Sequence, residues 1–460
     1  MYSLFKVNFN WALYIFICFF IRFTWLDLSW YGFFALCITV HQFLLLFFSI
    51  GSVLPIRYLA GAFMCLQMFV GPTFAYNGLD KYQDIVYQMK VPEDVYYSYM
   101  IPAISLFILG LHVTAQKFKG EIINQQAISA FVDSAGDLPY YFVAIGFFSS
   151  ILGEYFSSVF GFVFYLLANF KYIGAFMLLL GTRQVKPMIM ALVFGSVILS
   201  SLQDAMFHDL LTWLIMLGAI LAIKYKPSLV LKAGTAFGFV LLVIIIQQLK
   251  GDYREAAWGG GESGLGTFET IYNKKQKDNS IFSYESMATS NIRINQGFII
   301  TNILSTVPAR VPHADGAELL LILEAAFLPR ILAPDKLNAG DRTIFMKYSG
   351  MFLAAGTSMG LSSPGDAYIN FGVLGGSFFM FFLGLLYSEV LNGFHKFSKY
   401  YPILLLFTPL VFYYPIRPDC ELQTGLGHLV KSTFLIFVMV QVWKHQFVRM
   451  KNKNIKQASL

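Results

Sequence analysis

The sequence predicts an all-α polytopic membrane protein with about twelve transmembrane helices and one large outer loop. Three observations predict it. Apolar runs long enough to cross the ~30 Å hydrocarbon core recur along the whole chain. Charged residues make up only 13% of a chain that is 57% hydrophobic and has 48 Phe, far from the balance of a water-soluble domain. Basic residues alternate in the short connections as the positive-inside rule requires.

The spans fall near 9–26, 30–50, 55–77, 96–115, 139–156, 158–180, 185–204, 208–224, 229–249, 366–393, 400–416 and 425–444. The first, interrupted by Arg22, and the eleventh, rich in Pro, are the weakest. With the N-terminus in the cytoplasm, inner loops hold Arg57, Lys117, Lys119, Arg183, Lys186, Lys224, Lys226, Lys396 and Lys399. Short outer connections hold Asp27, Glu154, Asp204 and Asp209. The basic tail 445–460 then lies inside, so both termini are cytoplasmic. The net charge of +7 is explained by topology and does not call for nucleic acid. The first apolar run lacks a small-residue cleavage pattern and reads as a retained span. Cys18, Cys37, Cys65 and Cys420 show no metal or disulfide spacing.

The chain thus divides into helices over 1–249, an outer loop over 250–365, further helices over 366–444, and the tail. The loop opens polar and Gly-rich ("GDYREAAWGGGESGLG"), carries a charged run ("NKKQKDNS"), and turns apolar ("AELLLILEAAFLPRILAP"). This last part has the spacing of a helix lying on or dipping into the membrane surface.

Arginine is the unevenly spread residue. Six of ten, Arg254, Arg293, Arg310, Arg330, Arg342 and Arg417, lie on the outer face, where topology gives them no task. A guanidinium is permanently charged and offers a planar pair of donors to phosphate. An anionic ligand such as a lipid pyrophosphate would suit them; pairing with the loop's own carboxylates is the plainer alternative. "ARVPHADGAELL" places Arg310, His313, Asp315 and Glu318 together. His313, Glu318 and Asp315 are candidate proton acceptors. Asp315 as cap and Glu318 three residues on also fit a helix start. "FLPRILAPDKLNAGDR" reads as a surface turn able to close over a headgroup. Walker, dinucleotide and HExxH motifs are missing, and no cofactor is expected.

"SSPGDAYINFGVLGG" (362–376) leads into the tenth span. Pro364 and Gly365 suit a turn, and Asp366 suits a cap for the following helix or a catalytic acid. Tyr368 and Asn370 would point towards a cavity below the loop. Gly372, Gly375, Gly376 and Gly384 offer a small-residue packing face.

The dozen apolar spans, the late Arg-rich outer loop and the run "GTSMGLSSPGDAYINFGVLGGSFFMFFLGLL" resemble the Wzy-type O-antigen polymerases, which join oligosaccharide repeat units of bacterial surface polysaccharides. The Arg-x10-Gly repeats of some members are not found at the loop arginines. The resemblance implies a fold like the C-type membrane glycosyltransferases (GT-C). It also implies a metal-independent transfer at the outer face of the bacterial inner membrane, from undecaprenyl-pyrophosphate-linked oligosaccharides. A chain-length regulator and a flippase would be the working partners. An O-antigen ligase acting on the same donor, and a lipid-linked oligosaccharide flippase or transporter, are the alternatives.

Overall fold

Long apolar runs with almost no charge leave the backbone one way to satisfy its polar groups in lipid, and that is helix. The computed structural model describes residues 9–115, 122–156, 161–182, 187–259, 264–277, 283–328, 332–333, 335–354 and 357–443. Its regular elements are helical among the described residues. In chain order they are α1 (Trp11–Thr24), α2 (Trp30–Ser49), α3 (Ile56–Tyr76), α4 (Glu93–Val113), α5 (Gln125–Ser134), α6 (Leu138–Tyr155), α7 (Gly161–Leu180), α8 (Pro187–Gln203), α9 (His208–Tyr225) and α10 (Leu229–Trp258). The long segment after α10 adds α11 (Leu265–Lys277), α12 (Tyr284–Ile294), α13 (Gly297–Thr306), α14 (Ala317–Phe327) and α15 (Arg342–Ser349). Then come α16 (Ser362–Phe397), α17 (Thr408–Val411) and α18 (Leu422–Val442).

Eight of these are long and apolar enough to cross a membrane, or nine if α5 and α6, bent by 82°, form one crossing. The protein is therefore a polytopic membrane protein. Three expected spans come out short. α1 has 14 residues, about 21 Å of helix, and α8 has 17. The Pro-rich eleventh is a 3-10 turn (Pro402–Phe407) followed by the four residues of α17. Irregular backbone at that depth is tolerated where protein surrounds it, and the residues from Ile403 to Tyr413 are all buried.

Hydrogen bonds sort the helix ends into two groups. One group joins Arg57 to Ser388 at 2.7 Å, Lys232 to the Ile50 carbonyl at 2.7 Å, and Asp133 to Thr182 at 2.6 Å. The other joins Ser29 to Glu93 at 2.6 Å and Tyr253 to the Leu202 carbonyl at 2.8 Å. Arg22 donates to the Leu28 carbonyl at 2.8 Å and lies over the Trp30 ring, so it turns towards the helix end.

The spine is the antiparallel pair α4 and α16. A Cβ on Gly110 would come within 2.1 Å of the Phe381 carbonyl oxygen, and one on Gly384 within 2.2 Å of that of Phe107. The two glycines therefore let the backbones touch. Of the expected small-residue face, Gly384 packs in this way, a Cβ on Gly376 would meet the Ala367 carbonyl of its own helix and the Tyr99 hydroxyl at 3.1 Å, and a Cβ on Gly375 would meet its own helix's Phe371. Gly372 serves differently. Its φ of 64° and ψ of −162° break α16 into an outer half, 362–371, and a long inner half.

The long segment between α10 and α16 is anchored through a π-helical turn in α3 (Leu66–Val70). Such a turn frees carbonyls from the helix ladder. Gln67 accepts from the Gln296 amide at 3.1 Å, and Met68 from the Tyr96 hydroxyl at 2.8 Å. Asn291 donates to the Gly71 carbonyl at 3.0 Å. A Cβ on Gly71 would lie 2.6 Å from the Asn295 Cα. The apolar helix α13, which composition alone did not single out, is buried behind this anchor.

Candidate functional site

The half-helix 362–371 differs from the turn-then-cap expected for it. The helix begins at Ser362, so Pro364, Gly365 and Asp366 lie inside its first turns. Asp366 is not the cap of its own helix. Its Oδ2 accepts from the Leu422 amide at 2.8 Å and so caps α18. Asn370, only 1% exposed, points to no cavity. Its Oδ1 accepts from the Leu319 amide at 3.1 Å in the first turn of α14, and its Nδ2 donates to the Asp366 carbonyl at 2.8 Å. Tyr368 donates to the Val307 carbonyl at 3.2 Å. One half-helix thus caps two others. Asp366→Ala strands the Leu422 amide in a buried site and is expected to lower stability by about 1–3 kcal/mol. Asp366→Asn, which keeps an acceptor, should lose less. Thermal unfolding in detergent, read side by side for the two variants, checks the ranking.

The "ARVPHADGAELL" cluster is likewise bound up in structure. Gly316, at φ 90°, takes the N-cap position of α14, and the expected cap Asp315 is exposed beside it at φ 49°. Glu318 is buried and accepts from Lys347 at 3.0 Å and from the Tyr348 hydroxyl at 2.8 Å. Bonding to Tyr348 first, and to Glu318 second, holds the Lys347 ammonium above its ordinary pKa. His313 packs edge-on to Tyr368, with ring centroids 5.4 Å apart, over the kink at Gly372. Its Nδ1 is buried and has no partner among the described residues.

The arginines separate into two sets. Arg342 donates to the Leu353 carbonyl and fixes a loop. Arg310 is exposed and has no side-chain partner among the described residues. Arg330 lies outside the described residues. Lys336 of the same surface turn donates to the Ala325 carbonyl at 3.0 Å, near the end of α14. Arg254, Arg293 and Arg417, far apart in sequence, all lie within electrostatic range of Lys250.

Each of the three is placed by buried neighbours. Tyr253, fully buried, bonds the Leu202 carbonyl, and Arg254 Nε donates to the Ala205 carbonyl at 3.1 Å. Asn291 and Asn295 are buried on either side of Arg293 and dock on α3. Arg417 follows buried Ile416 in the connection between α17 and α18 and packs over Tyr414, 5.3 Å from its centroid. It forms a two-pronged pair with Asp419, Nη2 to Oδ2 at 2.8 Å and Nε to Oδ1 at 3.4 Å. Its Nη1 is buried and unpartnered among the described residues.

A fourth cation joins them. Lys250 lies one helical turn before Arg254. The charges acting on it are Arg254, Arg293 and Arg417, with Asp419 the opposing carboxylate. Neither Lys250 nor Arg293 has a side-chain partner among the described residues. Next to this cluster, Tyr413 and His208 both bond Asp209 at the start of α9. The arginine beside Asp419 holds that carboxyl below its ordinary range in spite of burial.

Asp419 also lines a cleft of about 340 Å³, with Gln296, Gly340, Ser358, Gly360 and Glu421. Glu421 accepts from the Gly340 amide at 2.6 Å and from Thr424 at 2.9 Å. Burial pushes its pKa up, against those two bonds. The site is therefore a polar cleft with a carboxyl of raised proton affinity in its wall and Arg417, paired with the lining Asp419, beside it. Lys250, Asp419 and Glu421 were not singled out from the sequence. Lys250 reads as the end of an apolar span, and "RPDCE" reads as a short connection. No group of three metal-ligating side chains is present among the described residues. No family model matches the chain, and comparison with curated proteins and with solved structures gives no match.

Proposed function

We propose that the protein is a membrane glycosyltransferase that polymerises undecaprenyl-pyrophosphate-linked oligosaccharide repeat units into a surface polysaccharide. The observation that carries this reading is the Arg417–Asp419 pair, with a spare guanidinium nitrogen, at a carboxyl-lined cleft, with Lys250, Arg254 and Arg293 within electrostatic range. In this reading the chain sits in the bacterial inner membrane, crosses it about twelve times in a GT-C-like arrangement, and keeps both termini in the cytoplasm. The cationic cluster then faces outwards.

The chemistry follows from the cluster. A hydroxyl oxygen of the acceptor sugar attacks the anomeric carbon of the donor glycan. The bond from that carbon to the pyrophosphate oxygen breaks, and its electron pair leaves with the lipid pyrophosphate. Preorganised guanidinium donors stabilise the negative charge that develops there. Glu421 takes the hydroxyl proton, a role its raised proton affinity suits. Asp419 keeps Arg417 oriented. The arginines supply the charge that a divalent cation supplies elsewhere.

The test uses membranes holding the protein and a lipid-linked repeat unit, with chelator and without nucleotide sugar. A ladder spaced by one repeat unit supports the reading. Transfer of a single unit to another lipid or to protein would indicate a ligase, and movement between leaflets alone would indicate a flippase. Glu421→Gln is expected to slow the ladder by about 10²–10⁴-fold. In the unaltered protein Glu421 must be ionised to act as base. Its pKa lies above the ordinary 4.5, so the rate falls as pH drops through that raised value. Initial rates across pH check this, and the limb should vanish in the Gln variant.

A further inference from the structure

Glu421 faces two spaces. Besides the cleft, it lines a cavity of about 20 Å³ together with Asp341, Asp366, Gln423 and apolar side chains. Each carboxyl comes from a different element. Asp341 is the N-cap of α15, and its Oδ1 accepts from the Thr343 amide at 2.9 Å and the Ile344 amide at 3.2 Å. Glu421 takes the N-cap position of α18, and its Oε1 accepts from Gly340 and Thr424. Asp366, 4% exposed, gives its Oδ2 to the amide of Leu422, the residue next to Glu421. These bonds use one oxygen of each carboxyl. Asp366 Oδ1 and Glu421 Oε2 have no hydrogen-bond partner among the described residues.

Size and chemistry decide what such a cavity holds. A volume of about 20 Å³ takes one water and no larger ligand, and a buried water needs two to four polar partners. No group of three side chains among the described residues could hold a metal ion. Two ionised carboxyls on one small buried space repel each other, and a single proton between them removes that cost. The other titratable groups around Asp366 are already engaged. Tyr99 from α4 donates to the Pro364 carbonyl at 2.6 Å, and Glu318 from α14 is held by Lys347 and Tyr348. Asp341 holds two amides. Glu421 accepts two donors, sits at the start of a 21-residue helix and reaches the cleft. It is therefore the better place for the remaining negative charge.

We propose that Asp366 and Glu421 share one proton through a single water in this cavity, the proton resting on Asp366, and that Asp366 is thereby a positioning residue for the base. Asp366 donates to the water, and the water donates to Glu421 Oε2. Glu421 stays ionised and open to the cleft. The role of base rests on the functional reading given above, whereas the shared proton does not.

The experiment follows the C=O stretch of protonated carboxyls by infrared spectroscopy across pH, on the full chain in mild detergent without substrate. The unaltered chain should show two linked steps for the pair, at least about one pH unit apart. Asp366→Asn and Glu421→Gln both keep an acceptor, and each should abolish the upper step and leave one step at lower pH. An upper step that survives in either variant would make the carboxyls independent and overturn the shared proton. High-resolution electron cryomicroscopy should show one ordered water between Asp366 Oδ1 and Glu421. Direct contact of the two carboxyls would overturn the bridge. In the ladder assay, Asp366→Asn should leave the acid limb of the rate in place, because its amide donates to the water as the acid does. Asp366→Leu removes that donor and should move the limb to higher pH. An unmoved limb in the Leu variant would reduce Asp366 to a cap and overturn its positioning role. Linked steps in a chain that makes no ladder would leave the shared proton standing and sink the functional reading alone.

Discussion

Arg417→Ala is expected to lower glycan transfer by at least about 10²-fold, the scale of losing one preorganised donor to a developing oxyanion. Arg417 is the member of the cluster with both a fixed orientation and a spare donor. Two of its nitrogens hold Asp419, and Nη1 is buried without a partner among the described residues. The substitution also leaves Asp419 half-buried and unpaired, which costs about 1–3 kcal/mol. Loss of activity could then come from loss of folded protein, and two further variants separate the causes. Arg417→Lys keeps the charge and loses the fork. It should accumulate normally and transfer slowly. The double variant Arg417→Ala with Asp419→Ala removes the stranded carboxylate, so accumulation should recover while transfer does not. Recovery of transfer in the double variant would show that Arg417 serves only to neutralise Asp419. The pair also has a pH signature. Asp419 titrates below its ordinary 3.8 in the folded chain because of Arg417. Its contribution to stability is complete above that value and is lost as pH falls through the depressed one.

Gly384→Val should remove nearly all folded protein. A Cβ at this position would lie 2.2 Å from the Phe107 carbonyl oxygen, and the reciprocal Cβ on Gly110 would lie 2.1 Å from that of Phe381. Neither clash can be relieved by a rotamer, because the obstructing atoms are backbone. The helices must separate, and α4 and α16 carry the anchors for Tyr99, Pro364 and Arg57. A destabilisation of at least about 3 kcal/mol follows, at the upper end of overpacking effects. Gly393, on the same helix, meets no atom within 4 Å, so Gly393→Val is the control and should accumulate as the unaltered chain does. Membrane levels by immunoblot and unfolding in mild detergent report both. Equal levels for the two valine variants would overturn the close-packed pair.

Much of the architecture is legible because it depends on local composition. Apolar length marks most of the long apolar helices. What fails depends on partners distant in sequence. Asp366 and Asn370 look like local caps, but their amides lie 56 and 51 residues away. The π-helical turn at Leu66–Val70 has no marker in "LQMFV", since it is stabilised by Gln296 and Tyr96 from other segments. In the candidate site the residue type was legible and the membership was not. A guanidinium on the outer face is conspicuous in any sequence. That Arg417 is held against Asp419 and Arg254 against the Ala205 carbonyl, while Arg342 is spent on the Leu353 carbonyl, follows only from the tertiary fold.

The cap that Asp366 gives to Leu422 has a consequence in time. The acceptor is made first and its donor 56 residues later. At roughly 5–20 residues per second, a ribosome takes several seconds to supply it. During that interval the Asp366 carboxyl group has no Leu422 amide to receive, and α14 already relies on Asn370 from the same half-helix. The outer half of α16 therefore cannot settle until the final helix has been made. A pause in translation just before Leu422 would prolong the half-assembled state, when quality-control proteases have their best access to the chain.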